Sequence, residues 1–267
     1  SLYAKRKEYD VTECSIGLGG NLANTAKCFE DALSNLTDCG VRVCRVSSTV
    51  RTQAMGEAAG DDFLNAVAVL ETPLPADEVL TLLHATEHKL GRLRTVHWGP
   101  RPVDLDLLLY AEESTDCETL VLPHPGLWYR RFVLQPHAEI AGDWMHPLLG
   151  ESVQSLFERL QQEPLMLNIV DRDDFSYSLE RMKSQLRREF SLARFRLRST
   201  TAHEPPDLKA FARIELTWQS ATDHERTQPP NHADRTITVA IDRSAGVETQ
   251  VLAAVRNLLT AALGTVV

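Results

Sequence analysis

Between residues 13 and 110 the apolar pattern switches repeatedly between strand period and helix period, and that order limits the fold more than any single motif does. "ECSIGLGGN" (13–21) reads as a short strand closing in a glycine turn, and Asn24 to Cys39 sets Ala26, Phe29, Leu33 and Leu36 at helical steps. "VRVCRVSSTV" (41–50) alternates as a strand, and "DDFLNAVAVLET" (61–72) reads as another. "PADEVLTLLHATEHKLG" (75–91) has an acidic first turn, periodic leucines and a terminal glycine, the marks of a helix. "WGPRPVDLDLLLY" (98–110) then turns at Gly99-Pro100 and enters a strongly apolar strand. The order β-α-β-β-α-β predicts an α+β fold of the split βαβ, ferredoxin-like kind, with two helices covering one face of an antiparallel sheet.

Prolines at 123, 125, 136 and 147 make residues 112 to 164 an irregular stretch of loops and short helices. A second unit follows, and the expected division is a first domain over 1–164 and a C-terminal extension over 165–267. Leu179, Met182, Leu186, Phe190 and Leu197 predict a helix over 175–199 with a basic opposite face. Ile214, Leu216 and Trp218 alternate as one strand, Ile237, Val239 and Ile241 as another, and Val251, Val255, Leu258 and Ala262 lie on a final helix over 247–263. That order predicts an αββα unit, which carries no chemical constellation of its own and whose function the sequence does not give; self-association through it, as a dimerisation module, and regulation are the alternatives.

Composition narrows the function classes. Of 267 residues 43% are hydrophobic, ample for a core, yet no run reaches the ~18 apolar residues of a membrane span. The polar N-terminal "SLYAKRKEYD" has no export signal, so a cytoplasmic protein is expected. Five cysteines without a CxxC spacing point to reduced thiols. A net charge of -9 disfavours nucleic acid as a partner, although arginines crowd at 92–101 and 130–131, where an anion could bind.

Asp104 and Asp106 interrupt the last strand of the first unit. Side chains at i and i+2 share a strand face about 6.6 Å apart along the chain. Two such carboxylates suit magnesium, which takes a couple of protein oxygens and keeps its other positions for water and phosphate. A pair of ions can then clamp a phosphoryl group under in-line attack. The plainer alternative is that the aspartates pair with arginines at a turn. Arg92, Arg94, Trp98 and Arg101 in the same short region favour a phosphate site, since guanidinium forks match phosphate oxygens and an indole face covers a flat ring.

"WGPRPVDLDLLLY" resembles the signature of 6-hydroxymethyl-7,8-dihydropterin pyrophosphokinases, folate-pathway transferases that move a diphosphate from ATP to the pterin's hydroxymethyl group and release AMP. "IGLGGNL", "VSSTVRTQAMG", "DDFLNAVAVLET" and "LVLPHPGLWYRRFVLQP" resemble further segments of that family in the same order, over residues 13 to about 160. The resemblance implies that Asp104 and Asp106 hold two magnesium ions and that Arg92 and Arg101 steady the transferring phosphates. It places Arg94 and Trp98 in a loop that closes over the substrates, and gives Glu87, His124 and Arg130 to ATP. Asn65 would read the pterin edge, Phe63 and Phe132 would sandwich the ring, and the backbone from Thr52 to Met55 would add hydrogen bonds. Taken singly, either phenylalanine could be an ordinary core residue. An amide within an apolar strand, by contrast, must find a partner if buried.

The chain departs from the family pattern in three places. His84 stands where glutamine is frequent, the segment between Gly91 and Trp98 is about one residue short, and Gly19-Gly20-Asn21 replaces a frequent Gly-Ser-Asn. Rival motifs are weaker. "HATEH" (84–88) formally matches the inverted zinc-protease pattern, but exposed histidines on an amphipathic helix explain it as well. "GLGGNL" has Leu22 where a dinucleotide turn needs its third glycine, and no GxxxxGK[ST] loop exists. The basic helix expected at 179–198 could instead make the chain a nucleic-acid or protein-binding module, against the plain alternative of a solvated helix face.

Overall fold

The computed structural model describes residues 11–22, 24–52, 62–92, 102–162, 165–171, 195–201, 212–218, 236–241 and 247–263. They fall into two compact units: residues 1–124 with 135–142, and residues 125–134 with 143–267.

The first unit is α+β. Its elements are β1 (Thr12–Gly20), α1 (Thr25–Asp38), β2 (Arg42–Val46), β3 (Val50–Thr52), β4 (Phe63–Thr72), α2 (Ala76–Lys89) and β5 (Asp104–Tyr110). An antiparallel sheet runs β2-β4-β1-β5, with β3 also pairing to β4. Alternation along the strands, up to Leu107 on β5, sets the helix-facing side of the core. Ile16 and Leu18 of β1, Ala66 and Ala68 of β4, and Leu105 and Leu107 of β5 merge with Phe29 and Leu36 of α1 and Val79 and Leu83 of α2. Each such leucine withdrawn from water contributes about 1.5–3 kcal/mol before entropy is counted. The helices are locked to each other by a buried hydrogen bond, Asn35 Nδ2 donating to Thr86 Oγ1 at 2.8 Å. Asp77 and Glu78 in the first turn of α2, and His88 and Lys89 in its last, match the helix dipole. Gly91, at φ +89°, supplies the left-handed conformation that ends the helical run.

The strand expected over 41–50 is divided. Ser47 donates its N–H to Val67 O and accepts from Val67 N at its Oγ, both at 2.9 Å, so it absorbs an extra residue between β2 and β3. A second slip, between Ser15 and Ile16 on β1 against Leu109 and Leu107 on β5, leaves Leu108 as a bulge. Residues 107 to 110 are consequently all buried. A two-stranded ribbon, β6 (Thr115–Asp116) with β7 (Val121–Leu122), follows. Helix α3 (Arg131–Ala141) comes next in the chain and is divided between the units. The five cysteines form no disulfide, and burial pushes the Cys14 thiol up to about 12, which keeps it protonated.

The second unit contains a ribbon of β8 (Met145–His146) and β9 (Glu151–Ser152), then α4 (Val153–Gln161), β10 (Leu165–Asp171), β11 (Phe195–Thr201), β12 (Ala212–Trp218), β13 (Thr236–Ile241) and α5 (Val247–Leu263). Strands β12 and β13 and helix α5 stand where strands and a helix were expected. The αββα order does not describe the unit. Residues 195–199, assigned to the end of a helix, form most of β11, and Leu165–Asp171 is a strand that was not anticipated. The sheet is wholly parallel in the order β11-β10-β12-β13. Helical steps drawn from Leu186 and Phe190 to Leu197 hid the two-residue alternation of Phe195 and Leu197, and the apolar run "LMLNIV" has the unalternating character of a strand in a parallel sheet. The rest of the expected helix, 175–194, lies outside the described residues.

Candidate active site

β5 opens with the paired carboxylates. Leu105 and Leu107 enter the core, so Asp104 and Asp106 face the other side of the sheet, with side chains 26% and 40% exposed. On the neighbouring strand their register partners are glycines, Gly19 opposite Asp104 and Gly17 opposite Asp106. Gly19 also stands opposite Asn65 of β4. A Cβ at Gly19 would lie 3.6 Å from Asn65 Oδ1 and 3.8 Å from Asp104 Cβ. With strands about 4.8 Å apart, Gly19 leaves the gap between the Asn65 amide and the Asp104 carboxylate free of a side chain of its own, whereas at Gly17 the Leu108 side chain lies 3.5 Å from where a Cβ would stand.

Arg92 binds that carboxylate bank from the end of α2. The same nitrogen, Nη1, donates to Glu87 Oε1 and Asp104 Oδ1. Glu87 is buried on the sheet-facing side of α2 and accepts the Leu105 N–H at 2.7 Å, so one carboxyl ties the helix to the β5 backbone between the two aspartates. Burial raises the Glu87 carboxyl to about 7; the Leu105 N–H and the Arg92 charge pull the other way, and Asp104 adds to the rise. His124 donates its backbone N–H to Leu108 O at 2.9 Å and places Nε2 3.8 Å from Asp106 Oδ2. Glu87, Arg92, Asp104, Asp106 and His124 thus form one group.

On the opposite bank, Asn65 is buried and its Nδ2 donates to Thr52 Oγ1 at 3.0 Å. That bond assigns the amide's orientation and leaves Oδ1 on the side of Gly19. Phe63, two residues before Asn65, shares its face and pairs in register with Thr52. The expected backbone donors after Thr52 lie outside the described residues. Glu139 is a residue that sequence reasoning missed. Its carboxylate accepts the Ser48 N–H at 3.0 Å and the Ser48 Oγ–H at 2.5 Å, anchoring the bend that sets β3, and with it Thr52, against β4. No spacing signal joins residues 91 positions apart.

Arg130 and Phe132 belong to the second unit. The Arg130 guanidinium lies 5.9 Å from the Phe132 ring centroid, a cation–π approach, and its side chain runs across Gly126, where a Cβ would displace it. Arg94, Trp98 and Arg101 lie outside the described residues. The zinc-protease alternative fails on geometry. His84 and His88 are exposed on α2 while Glu87 is turned inward to Leu105 and Arg92. Among the described residues no group of three or more His, Cys, Asp or Glu could hold a metal.

Carboxylates and a guanidinium at the start of β5, with an oriented amide two strands away, suit phosphate transfer, and sequence comparison points to the same class. Residues 15–142 match the family described as 7,8-dihydro-6-hydroxymethylpterin-pyrophosphokinase (HPPK). A 2-amino-4-hydroxy-6-hydroxymethyldihydropteridine pyrophosphokinase of Synechocystis sp. is 39% identical over 146 residues, covering 54% of this chain and 74% of the relative. The enzyme of that name from Methylorubrum extorquens is 37% identical over 151 residues, covering 56% of this chain and 94% of the relative. A crystal structure of Plasmodium falciparum HPPK-DHPS is similar over 68% of this chain and 56% of that chain, with 9% identity and a TM-score of 0.44. The chain belongs to the HPPK family.

Proposed function

We propose that the face of β1, β4 and β5 around Gly19 is where this pyrophosphokinase passes the diphosphate of ATP to 6-hydroxymethyl-7,8-dihydropterin. The reaction follows from the family: the pterin hydroxymethyl oxygen bonds to the β-phosphorus of ATP, the bond from that phosphorus to the α,β-bridging oxygen breaks, AMP departs with the bridging oxygen, and the hydroxyl proton is released. The observation that carries the assignment of the site is the register that sets Asn65, Gly19 and Asp104 in a row across three strands.

Two partly exposed carboxylates one residue apart on a strand suit magnesium ions that complete their shells with water and phosphate, so Asp104 and Asp106 fit as their holders. When bound, such ions neutralise phosphate charge and align the attacking oxygen. Arg92, steadied by Glu87, supplies a fixed positive charge next to Asp104. His124 serves ATP beside Asp106, and Arg130 serves it from the Arg-x-Phe segment, with Arg94, Trp98 and Arg101 assigned by resemblance. Asn65 offers Oδ1 to the donor edge of the pterin, Thr52 holds the amide in that orientation, and Phe63 and Phe132 take the ring faces.

The β2-β4-β1-β5 order supports reading the sheet as the ferredoxin-like split βαβ arrangement. Residues 1–164 then make up the catalytic domain and 165–267 an extension. No helix among the described residues is long and apolar enough to cross a membrane, and a cytoplasmic location agrees with that. The test is to mix the protein with ATP, magnesium and 6-hydroxymethyl-7,8-dihydropterin and measure AMP. The expected result is AMP that depends on both magnesium and pterin; its absence from the native protein would overturn the assignment.

A further inference from the structure

The Arg-x-Phe segment has a middle residue, Arg131, whose side chain bridges the ends of two helices. Arg131 opens α3. Its Nη2 donates to Leu160 O at 2.8 Å, and its Nε donates to Ala262 O at 3.2 Å. Both acceptors lie in the last turn of a helix, Leu160 in α4 and Ala262 in α5, where carbonyls have no partner further along the helix. Both residues are wholly buried, so water does not replace the guanidinium easily, and a cation at a helix C-terminus is favoured by the dipole as well. One side chain therefore clasps the ends of two helices that contact each other.

The clasp acts on a short, cooperative piece of backbone. Arg130 N–H donates to Gly126 O at 3.2 Å, and Val133 and Leu134 both donate to Arg130 O, at 3.0 and 2.9 Å. Residues 130 to 134 thus turn as a unit around Arg131, and Val133 and Leu134 are buried. Helix α5 lies beyond residue 142, where the family match ends, so it is a feature of this chain that the family match does not cover.

We propose that α5 is a positioning element for the pyrophosphokinase reaction: through Arg131 it holds the first turn of α3, and with it the substrate-binding side chains of Arg130 and Phe132. The proposal rests on the reading that those two residues bind substrate. Arg131 itself is a positioning residue and touches neither the nucleotide nor the pterin.

The test uses the full chain. Arg131→Met keeps an unbranched apolar stem and removes the donors; Arg131→Lys restores a cation that can reach carbonyls. Losing two charge-assisted bonds at a site where small misplacements matter is expected to raise KM for ATP and for pterin by about five- to ten-fold, with kcat changed by less than about two-fold. Arg131→Lys recovers most of that loss, and amide exchange at Val133 and Leu134 accelerates in the Met variant. Leu259→Ala loosens α5 from its own side with Arg131 intact, and raises the same two KM values. A purely structural clasp would instead lower the melting temperature and the amount of active enzyme and leave KM alone, and that outcome overturns the proposal. Unchanged exchange at Val133 and Leu134 in Arg131→Met overturns it too. Arg130→Ala and Phe132→Ala report separately on the underlying reading: if they leave both KM values unaltered, those residues do not bind substrate, whatever the exchange data show about the clasp.

Discussion

Along β1, β4 and β5 successive side chains alternate between two faces. One carries Ile16, Leu18, Ala66, Ala68, Leu105 and Leu107; the other carries Gly17, Gly19, Asn65, Asp104 and Asp106. The strands, and hence the backbone hydrogen bonds, are the same, so any difference in what the faces do comes from side chains alone. The first face is filled, and each side chain there contributes by leaving water. The second lacks a side chain at Gly19 and carries the partly exposed Asp104 and Asp106 beside the buried Asn65, and on the proposed function that gap is where a substrate lies. Adjacent residues of β5 separate the two roles most sharply. Asp104→Ala or Asp106→Ala should lower kcat by about 10²-fold or more, since a metal-held phosphate loses an anionic anchor, and should leave the melting temperature unchanged or slightly raised. Rates and thermal unfolding on the same samples check this; full activity in either variant would remove the carboxylates from the mechanism.

Leu105→Ala makes the opposite demand on the same strand. Leu105 is 2% exposed within the helix-facing core, so truncation should cost about 2–5 kcal/mol of stability through lost transfer energy and a residual cavity. The folded fraction should keep its kcat per active site. Urea unfolding combined with active-site titration checks the pair of outcomes, and a loss of turnover without a loss of stability would mean that the two faces are not independent.

Glu87 is where the faces meet, because its carboxyl grips the Leu105 backbone and Arg92 at once. Its pKa is raised from 4.5 to about 7, chiefly by burial. The folded protein therefore binds the Glu87 proton more tightly than the unfolded chain does. That contribution is fully present below about pH 4.5 and is lost as pH rises through about 7. Glu87→Gln should lack this decline, so the stability difference between native protein and variant should shift in the variant's favour across that window. Urea midpoints measured every half pH unit test it; parallel curves would show that Glu87 titrates normally.

The two faces also differ in how far they were legible before the structure. Order, type and approximate limits of β1, α1, β4, α2 and β5 were readable because apolar period alone distinguishes these strands from helices, and Asp104 and Asp106 stood out as charges within such a pattern. Asn65 was assigned by the family resemblance, and its place as a polar side chain amid apolar ones supported that assignment. Glu139 was invisible and Arg131 stood out only as part of an arginine cluster open to an anion, since the true partner of a charged residue on a helix, at Ser48 or at the ends of α4 and α5, leaves no mark in the sequence. The break between β2 and β3 was missed because Ser47 repairs it with its own side chain and leaves no glycine or proline to mark it. In the C-terminal unit, period failed altogether at β11, where long-range parallel pairing to β10 overrides a helical spacing.

The adjacent glycines at the end of β1 give the finest test of the contrast. A Cβ at Gly20 would stand 2.7 Å from Pro102 O and 2.8 Å from Thr25 Cγ2, and neither neighbour can yield freely: one is backbone, and the other belongs to a threonine whose Oγ1 donates to Leu22 O at 2.7 Å at the start of α1. Gly20→Ala should therefore destabilise by about 1–3 kcal/mol through overpacking. A Cβ at Gly19 meets nothing closer than 3.6 Å and should be tolerated in stability to within about 0.5 kcal/mol. It would, however, raise the floor between Asn65 Oδ1 and Asp104, so Gly19→Ala should weaken pterin or nucleotide binding several-fold while the protein melts as before. Isothermal titration with pterin and with an ATP analogue, set beside thermal unfolding, separates the two variants. If Gly19→Ala bound both ligands as tightly as the native chain, Gly19 would be serving strand pairing alone, and the substrate floor would have to be sought elsewhere on the sheet.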